Sequence, residues 1–126
     1  MLAGDPMLRA TPSDLSGVGY ACLGAGQAET KSIPNYQCPG GLRADIFFPS
    51  CWDGKNLDSA DHKSHVAYPS GVNSGKCPTS HPVRLVSLFM EVMYDINPWK
   101  SEWVGGKHPF VFSNGDPTGF GRFLRE

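Results

Sequence analysis

The chain has 126 residues, 40% of them apolar, and a formal net charge of −1. That length suits one domain with a modest core and is too short for two. The near-neutral balance excludes a basic footprint for nucleic acid, a polybasic membrane patch and the composition of a disordered chain. Fifteen glycines and eleven prolines are more than helices tolerate, which points to a turn-rich, mostly β chain.

In chain order, Met1 to Pro6 lacks the basic and apolar regions of a signal peptide. Met1 to Arg9 offers one short strand, and Pro12, Ser13 and Asp14 mark a turn between Thr11 and Gly17. Val18, Tyr20 and Cys22 alternate with small residues and read as a strand. Gly24 to Pro34 reads as a loop, and Cys38-Pro39-Gly40-Gly41 as a turn. Gly41 to Pro49 reads as a strand on the β-propensity of Ile46-Phe47-Phe48. His65 to Tyr68 is a further short strand, and Val72 to Pro82 a loop.

Val83 to Ile96 is the longest regular segment. With period two, Arg84, Val86, Leu88, Met90, Val92, Tyr94 and Ile96 share a nearly apolar face; with period 3.6, Leu85, Leu88, Phe89, Val92 and Ile96 also form a stripe. The β-branched and aromatic content favours one long central strand over a helix. Asn97-Pro98 stops it, Trp99 to Lys107 reads as a loop, Pro109 to Ser113 as a short strand, and Asn114 to Pro117 as a hairpin-type turn. No apolar run is long enough to span a bilayer; Val83 to Met90 is interrupted by Arg84 and Ser87. The predicted fold is mostly β, an antiparallel sandwich or jelly-roll-like arrangement with long disulfide-held loops.

Four cysteines, Cys22, Cys38, Cys51 and Cys77, are spaced too widely for a zinc ribbon. Of the three possible connectivities, Cys22–Cys38 with Cys51–Cys77 is favoured, because each bond closes a single polar loop between apolar runs. The alternative is four buried free thiols. Two disulfides would place the chain in an oxidising, extracellular compartment.

The densest chemistry lies between Phe47 and Tyr68. His62 and His65, three residues apart, face the same way on a helical turn and can reach one divalent metal ion, with Asp58 or Asp61 as a third ligand or orienting a ring. Without a metal, one histidine acts as general base or acid with a nearby aspartate fixing its tautomer. The bland alternative is an Asx-rich loop whose aspartates bind its own amides. Asp53 to Asp58 matches a calcium loop poorly, and a hydrogen-bonded turn fits better. His81 and His108 precede prolines and read as loop residues. Arg43 and Arg84 sit in apolar segments, where an arginine pairs with a carboxylate or neutralises a uronic-acid substrate. Arg43 with Tyr68 and the histidines then makes a set suited to β-elimination. Trp99, Trp103, Tyr94 and Tyr68 supply flat rings suited to sugar faces, whereas Trp52 fits core packing beside a cysteine.

Cys38-Pro39-Gly40-Gly41-Leu42-Arg43, Phe47-Phe48-Pro49-Ser50-Cys51-Trp52-Asp53-Gly54, Asp61-His62-x-Ser64-His65-x-Ala67-Tyr68-Pro69, Cys77-Pro78, His81-Pro82-Val83 and Gly115-Asp116-Pro117-Thr118-Gly119 together resemble a family of secreted fungal proteins. Its defining domain is of unknown function and is sometimes joined to WSC carbohydrate-binding modules. The resemblance implies an extracellular protein associated with cell wall or plant biomass, with a signal peptide and a larger domain than residues 1–126, which would be one incomplete domain. It also implies a further histidine motif upstream and a His-Gly-Asp downstream, where this chain has Arg122-Phe123.

The expected function is an extracellular protein that acts on or binds a cell-wall or biomass polysaccharide, lyase- or hydrolase-like if catalytic. His62, His65, Asp61, Tyr68 and Arg43 are the candidate catalytic residues, and Trp99, Trp103 and Tyr94 the candidate substrate-binding ones. The alternatives are a non-catalytic carbohydrate-binding module and a protein with a metal held by His62 and His65.

Overall fold

The computed structural model describes residues 1–11 and 17–125; the turn expected at Pro12 to Asp14 lies outside them. Among the described residues there are eight strands: β1 (Leu2–Gly4), β2 (Val18–Cys22), β3 (Leu42–Phe47), β4 (Cys51–Trp52), β5 (Val66–Ala67), β6 (Val83–Arg84), β7 (Phe89–Tyr94) and β8 (Phe123–Arg125). They pair antiparallel in three small sheets, β1-β8, β2-β3-β7 and β5-β4-β6. The mostly β, antiparallel architecture with disulfide-held loops is therefore as the composition predicts.

β3 is the middle strand of the main sheet and shows why it forms. Leu42, Ala44 and Ile46 alternate onto one face and are buried, while Arg43 and Phe47 on the other face are partly exposed. Opposite them, Val18, Tyr20 and Cys22 of β2 point into the same core. Ile33, Phe48, Ile96 and the Cys22–Cys38 disulfide close it. The Cys51–Cys77 disulfide ties β4 to the long loop before β6. Both bonds match the favoured pairing, in which each closes a single polar loop between apolar runs.

Val83 to Ile96 is not one long central strand. It forms β6 and β7, which belong to different sheets. Five residue steps separate Arg84 from Phe89, whereas four separate Cys51 from Phe47, the residues they face. The extra residue is a bulge in residues 85–88, opposite Pro49, which has no N–H to offer the ladder. The Leu85 N–H donates to the Ser50 carbonyl at 2.8 Å, and Phe48 N–H to the Leu88 carbonyl at 3.0 Å, on either side of that break. β7 is an edge strand, and Phe89, Met90, Met93 and Tyr94 are exposed on it.

Pro109 to Ser113 is not a strand either. Pro109 has no N–H, Phe110 N–H donates to its neighbour His108 Nδ1 at 3.2 Å, and Phe112 N–H donates to the Asp116 carbonyl at 2.9 Å. With those donors spent locally, no ladder can form. The turn at Asn114 to Pro117 is present but joins no hairpin. A 310 helix covers Asn97–Glu102, with Pro98 in its first turn, and overlaps the start of the loop expected at Trp99 to Lys107. β8, which the sequence pattern does not announce, pairs with β1 through Leu2↔Arg125 and Gly4↔Phe123.

Candidate functional site

The loop between β4 and β5 holds the predicted histidine site. Its three aspartates do different jobs. Asp53 Oδ1 accepts from the Lys55 and Asn56 amides at 2.9 and 3.0 Å, and Oδ2 accepts from Asn56 Nδ2. The Asn56 and then the Lys55 amide hold its pKa down to about 2. Asp53 is thus a turn-former, with its oxygens committed to the chain. Asp61 Oδ1 accepts from the Ser64 and Lys63 amides and from the hydroxyls of Ser59 and Ser64, all between 2.7 and 3.0 Å. The two amides, Ser64 first, hold its carboxyl far below the usual carboxylate range. Asp61, expected to orient a histidine, braces the turn instead.

Asp58 is the aspartate that meets the imidazoles. Both its oxygens lie 2.8–2.9 Å from His62 Nδ1, and Oδ1 is 3.9 Å from His65 Nδ1. The hydrogen bond from His62 is the main cause of its lowered pKa. His65 is buried, and its Nδ1 is 2.8 Å from Ser59 Oγ. His62 is partly exposed, with Nε2 3.1 Å from Arg125 Nη2, and its carbonyl accepts from Leu2 N–H at 2.8 Å. Its φ of +55° is a left-handed conformation that a histidine adopts at a cost.

The two rings do converge, but on a carboxylate. Both His62 nitrogens are engaged, and among the described residues no three His, Cys, Asp or Glu side chains are placed to hold a metal ion. His81 braces the back of the loop, its Nε2 3.0 Å from the Ser64 carbonyl. His108 lies elsewhere, stacked on Phe110 at 5.9 Å, where burial lowers its pKa.

Tyr68, Arg43 and the histidines, expected as one set, have separate partners. Tyr68 donates its hydroxyl to the Phe47 carbonyl at 2.7 Å. Arg43 pairs with Glu29, with Asp45 at 3.0 Å and with Glu91 at 3.4 Å, across the main sheet. Arg84 donates to the Asn73 and Gly75 carbonyls and so holds its own loop.

The aromatic candidates divide. Trp103 turns inward and packs edge-on against Phe110 at 6.2 Å. Tyr94, at the end of β7, and Trp99, in the 310 helix, remain 40% and 54% exposed. Both line a cleft of about 380 Å³ that runs between β7 and residues 110–113, with Tyr20 and Phe112 among its walls. Its lining is mostly apolar, with Asp95 and Ser113 as polar groups. A smaller cleft of about 160 Å³ adjoins it, sharing Tyr94, Phe112 and Ser113 and adding Arg122.

Sequence reasoning missed Phe112 and Arg122. Phe112 was assigned to a strand that does not form. Arg122 stands in a glycine-rich tail, where nothing local announces that it is buried.

A family model described as a domain of unknown function (DUF1996) matches residues 1–123, and the chain belongs to that family. This bears out the resemblance to a domain of unknown function carried by the Phe-Phe-Pro-Ser-Cys-Trp-Asp-Gly and Asp-His-x-Ser-His segments. No curated protein and no solved structure matches the chain.

Proposed function

We propose that the chain is an extracellular domain that binds a cell-wall or biomass polysaccharide, with the Tyr94–Trp99 cleft as its site. The observation that carries this reading is a pair of part-exposed aromatic rings on the wall of a concave, largely apolar cleft. Such rings offer flat apolar faces to a sugar ring, and the few polar groups beside them set its orientation. The two disulfides suit an oxidising compartment. The histidine loop supports binding over catalysis, because Asp61 is committed to the backbone and serine hydroxyls, Asp58 to His62, and both His62 ring nitrogens to Asp58 and Arg125.

The test is glycan binding by titration calorimetry across neutral and acidic plant and fungal polysaccharides. Trp99→Ala is expected to weaken binding about 30-fold, the effect of truncating a central aromatic anchor, whereas His62→Ala leaves it unchanged. Binding that survives both Trp99→Ala and Tyr94→Ala, or no binding to any glycan, ends this reading.

One observation favours a second reading, in which the domain also cleaves the glycan. His62 combines left-handed backbone geometry, an aspartate on Nδ1 and a guanidinium facing Nε2. In the neutral ring that arrangement puts the proton on Nδ1 and makes Nε2 the acceptor that the Arg125 guanidinium occupies, so Nε2 acts as a base only when Arg125 swings away. Product analysis after incubation with the same glycans decides it: cleavage abolished by His62→Ala supports catalysis, and intact glycan rejects it.

A further inference from the structure

Arg122 is the anomaly of the molecule. It is 6% exposed, its Nε has no hydrogen-bond partner, and among the described residues no carboxylate forms an ion pair with it. A buried cation without a counter-charge is costly, and native proteins keep such groups paired. Asp116, a buried carboxylate six residues earlier in the chain, is already committed. Asp116, fully buried, accepts from Thr118 Oγ1 and the Thr118 amide on Oδ1 and from the Gly121 amide on Oδ2, and Arg9 Nε lies 4.0 Å from it. Tyr20, whose pKa burial raises, offers no partner either, since its hydroxyl is spent on the Gly119 carbonyl at 2.6 Å.

Arg122 lines the smaller cleft, whose volume of about 160 Å³ equals roughly five waters at ~30 Å³ each. That is room for a carboxylate and part of the ring that carries it. The cleft opens beside the aromatic one, and Tyr94, Phe112 and Ser113 are walls of both. Arg122 and Tyr94 are therefore walls of the same small cleft, and a sugar stacked on Tyr94 has a cationic residue beside it.

We propose that Arg122 is the carboxylate-binding residue of an anion subsite, and that the ligand is a polysaccharide containing uronic acid. The subsite rests on the glycan-binding reading and gives it a substrate class. The guanidinium presents a planar set of donors that matches a carboxylate, which supplies the missing counter-charge. Tyr94 supplies the apolar face beside it.

The experiment compares binding of galacturonan oligosaccharides with the same oligosaccharides after carboxyl reduction, and with a sulfated neutral glycan. The wild-type protein is expected to bind the acidic oligosaccharide about 10- to 100-fold more tightly than the reduced one, the range for a hydrogen bond to a charged group. Arg122→Met should remove that preference and leave the reduced glycan's affinity unchanged. Its Tm without ligand should be equal or higher, since an unpaired buried charge is replaced by an apolar chain of similar length. If Arg122→Met lowers Tm or fails to fold, the arginine is a structural residue and the subsite is rejected. Equal affinity for acidic and reduced glycans, or preference for the sulfated one, overturns the carboxylate assignment while the aromatic cleft stands. Binding to none of the three removes the cleft reading as well.

Discussion

The Asp53–His65 loop and the cleft beside Tyr94 are opposites. The loop is dense in groups that bind metals and move protons, and nearly every one is satisfied inside the loop. Asp61 alone accepts four hydrogen bonds. The cleft holds few polar groups, yet it exposes two aromatic rings and borders a buried arginine that no carboxylate of the described residues pairs with. Ligand density in a sequence thus does not distinguish a site from a brace. What distinguishes them is which groups remain unsatisfied after folding, because a saturated network holds backbone while an unsatisfied group has free energy to gain from a partner.

The largest expected effect tests the support of the cleft. Gly119 has φ +88°, and a Cβ there would lie 2.8 Å from Ile33 and 2.9 Å from the Tyr20 hydroxyl. Gly119→Ala is expected to destabilise by about 2–5 kcal/mol, combining left-handed strain with overpacking, and to weaken glycan binding, since Tyr20 lies beneath the cleft. Denaturant titration checks the first part; a loss under 1 kcal/mol would show that this floor is not rigid.

Next in size is Asp61→Ala, which removes the acceptor of four hydrogen bonds from the histidine loop. A lowered Tm with unchanged glycan affinity is expected. Affinity lost in step with the aspartate would break the contrast between brace and site.

The smallest effect is a pH dependence confined to the loop. Asp53, Asp58 and Asp61 all have pKa values lowered in the folded state by the hydrogen bonds they accept. Their stabilisation is fully present above the ordinary carboxylate pKa of about 3.9. It is lost as pH falls through the folded values, of which that of Asp53 is about 2. Amide spectra of residues 53–65 should hold steady from pH 7 to 5 and broaden towards pH 2, before those of β2 and β3. Simultaneous loss in both regions would mean that the loop is not a separate unit.

Much of the fold was legible because the signals were local. Cys38-Pro39-Gly40-Gly41 predicts a turn, and the Cys38 carbonyl does accept from Gly41 N–H at 2.9 Å. The disulfide pairing followed from each bond closing a single polar loop, β2 from alternation, and β3 from the β-propensity of Ile46-Phe47-Phe48. The rest depends on partners distant in sequence. The break between β6 and β7 is imposed by Pro49 on the facing strand, and the loss of a strand at Pro109 to Ser113 by hydrogen bonds to His108 and Asp116. In the histidine loop the cluster is legible, but which of Asp58 and Asp61 meets a ring is not. Asp58, four residues before His62, faces the ring, while Asp61 beside it turns to the backbone. The place of Arg122 beside β7 and the turn at Asn114 depends on residues distant in sequence, which no spacing encodes.

The β1–β8 ladder carries a consequence for the order of events in folding. It joins residues 2–4 to residues 123–125, so it closes a loop of nearly the whole chain. Closure entropy grows with loop length, and contacts this remote form late and open early. The Leu2 amide and the Arg125 guanidinium, both on this ladder, are also what hold His62 from outside its own loop. The geometry of His62 is therefore coupled to the last-formed pairing in the molecule, whereas Tyr94 is set by its pairing with Leu42 in a sheet of nearer partners. In hydrogen exchange, the Leu2 amide should lose protection by sub-global opening, while the β2–β3 amides wait for global unfolding.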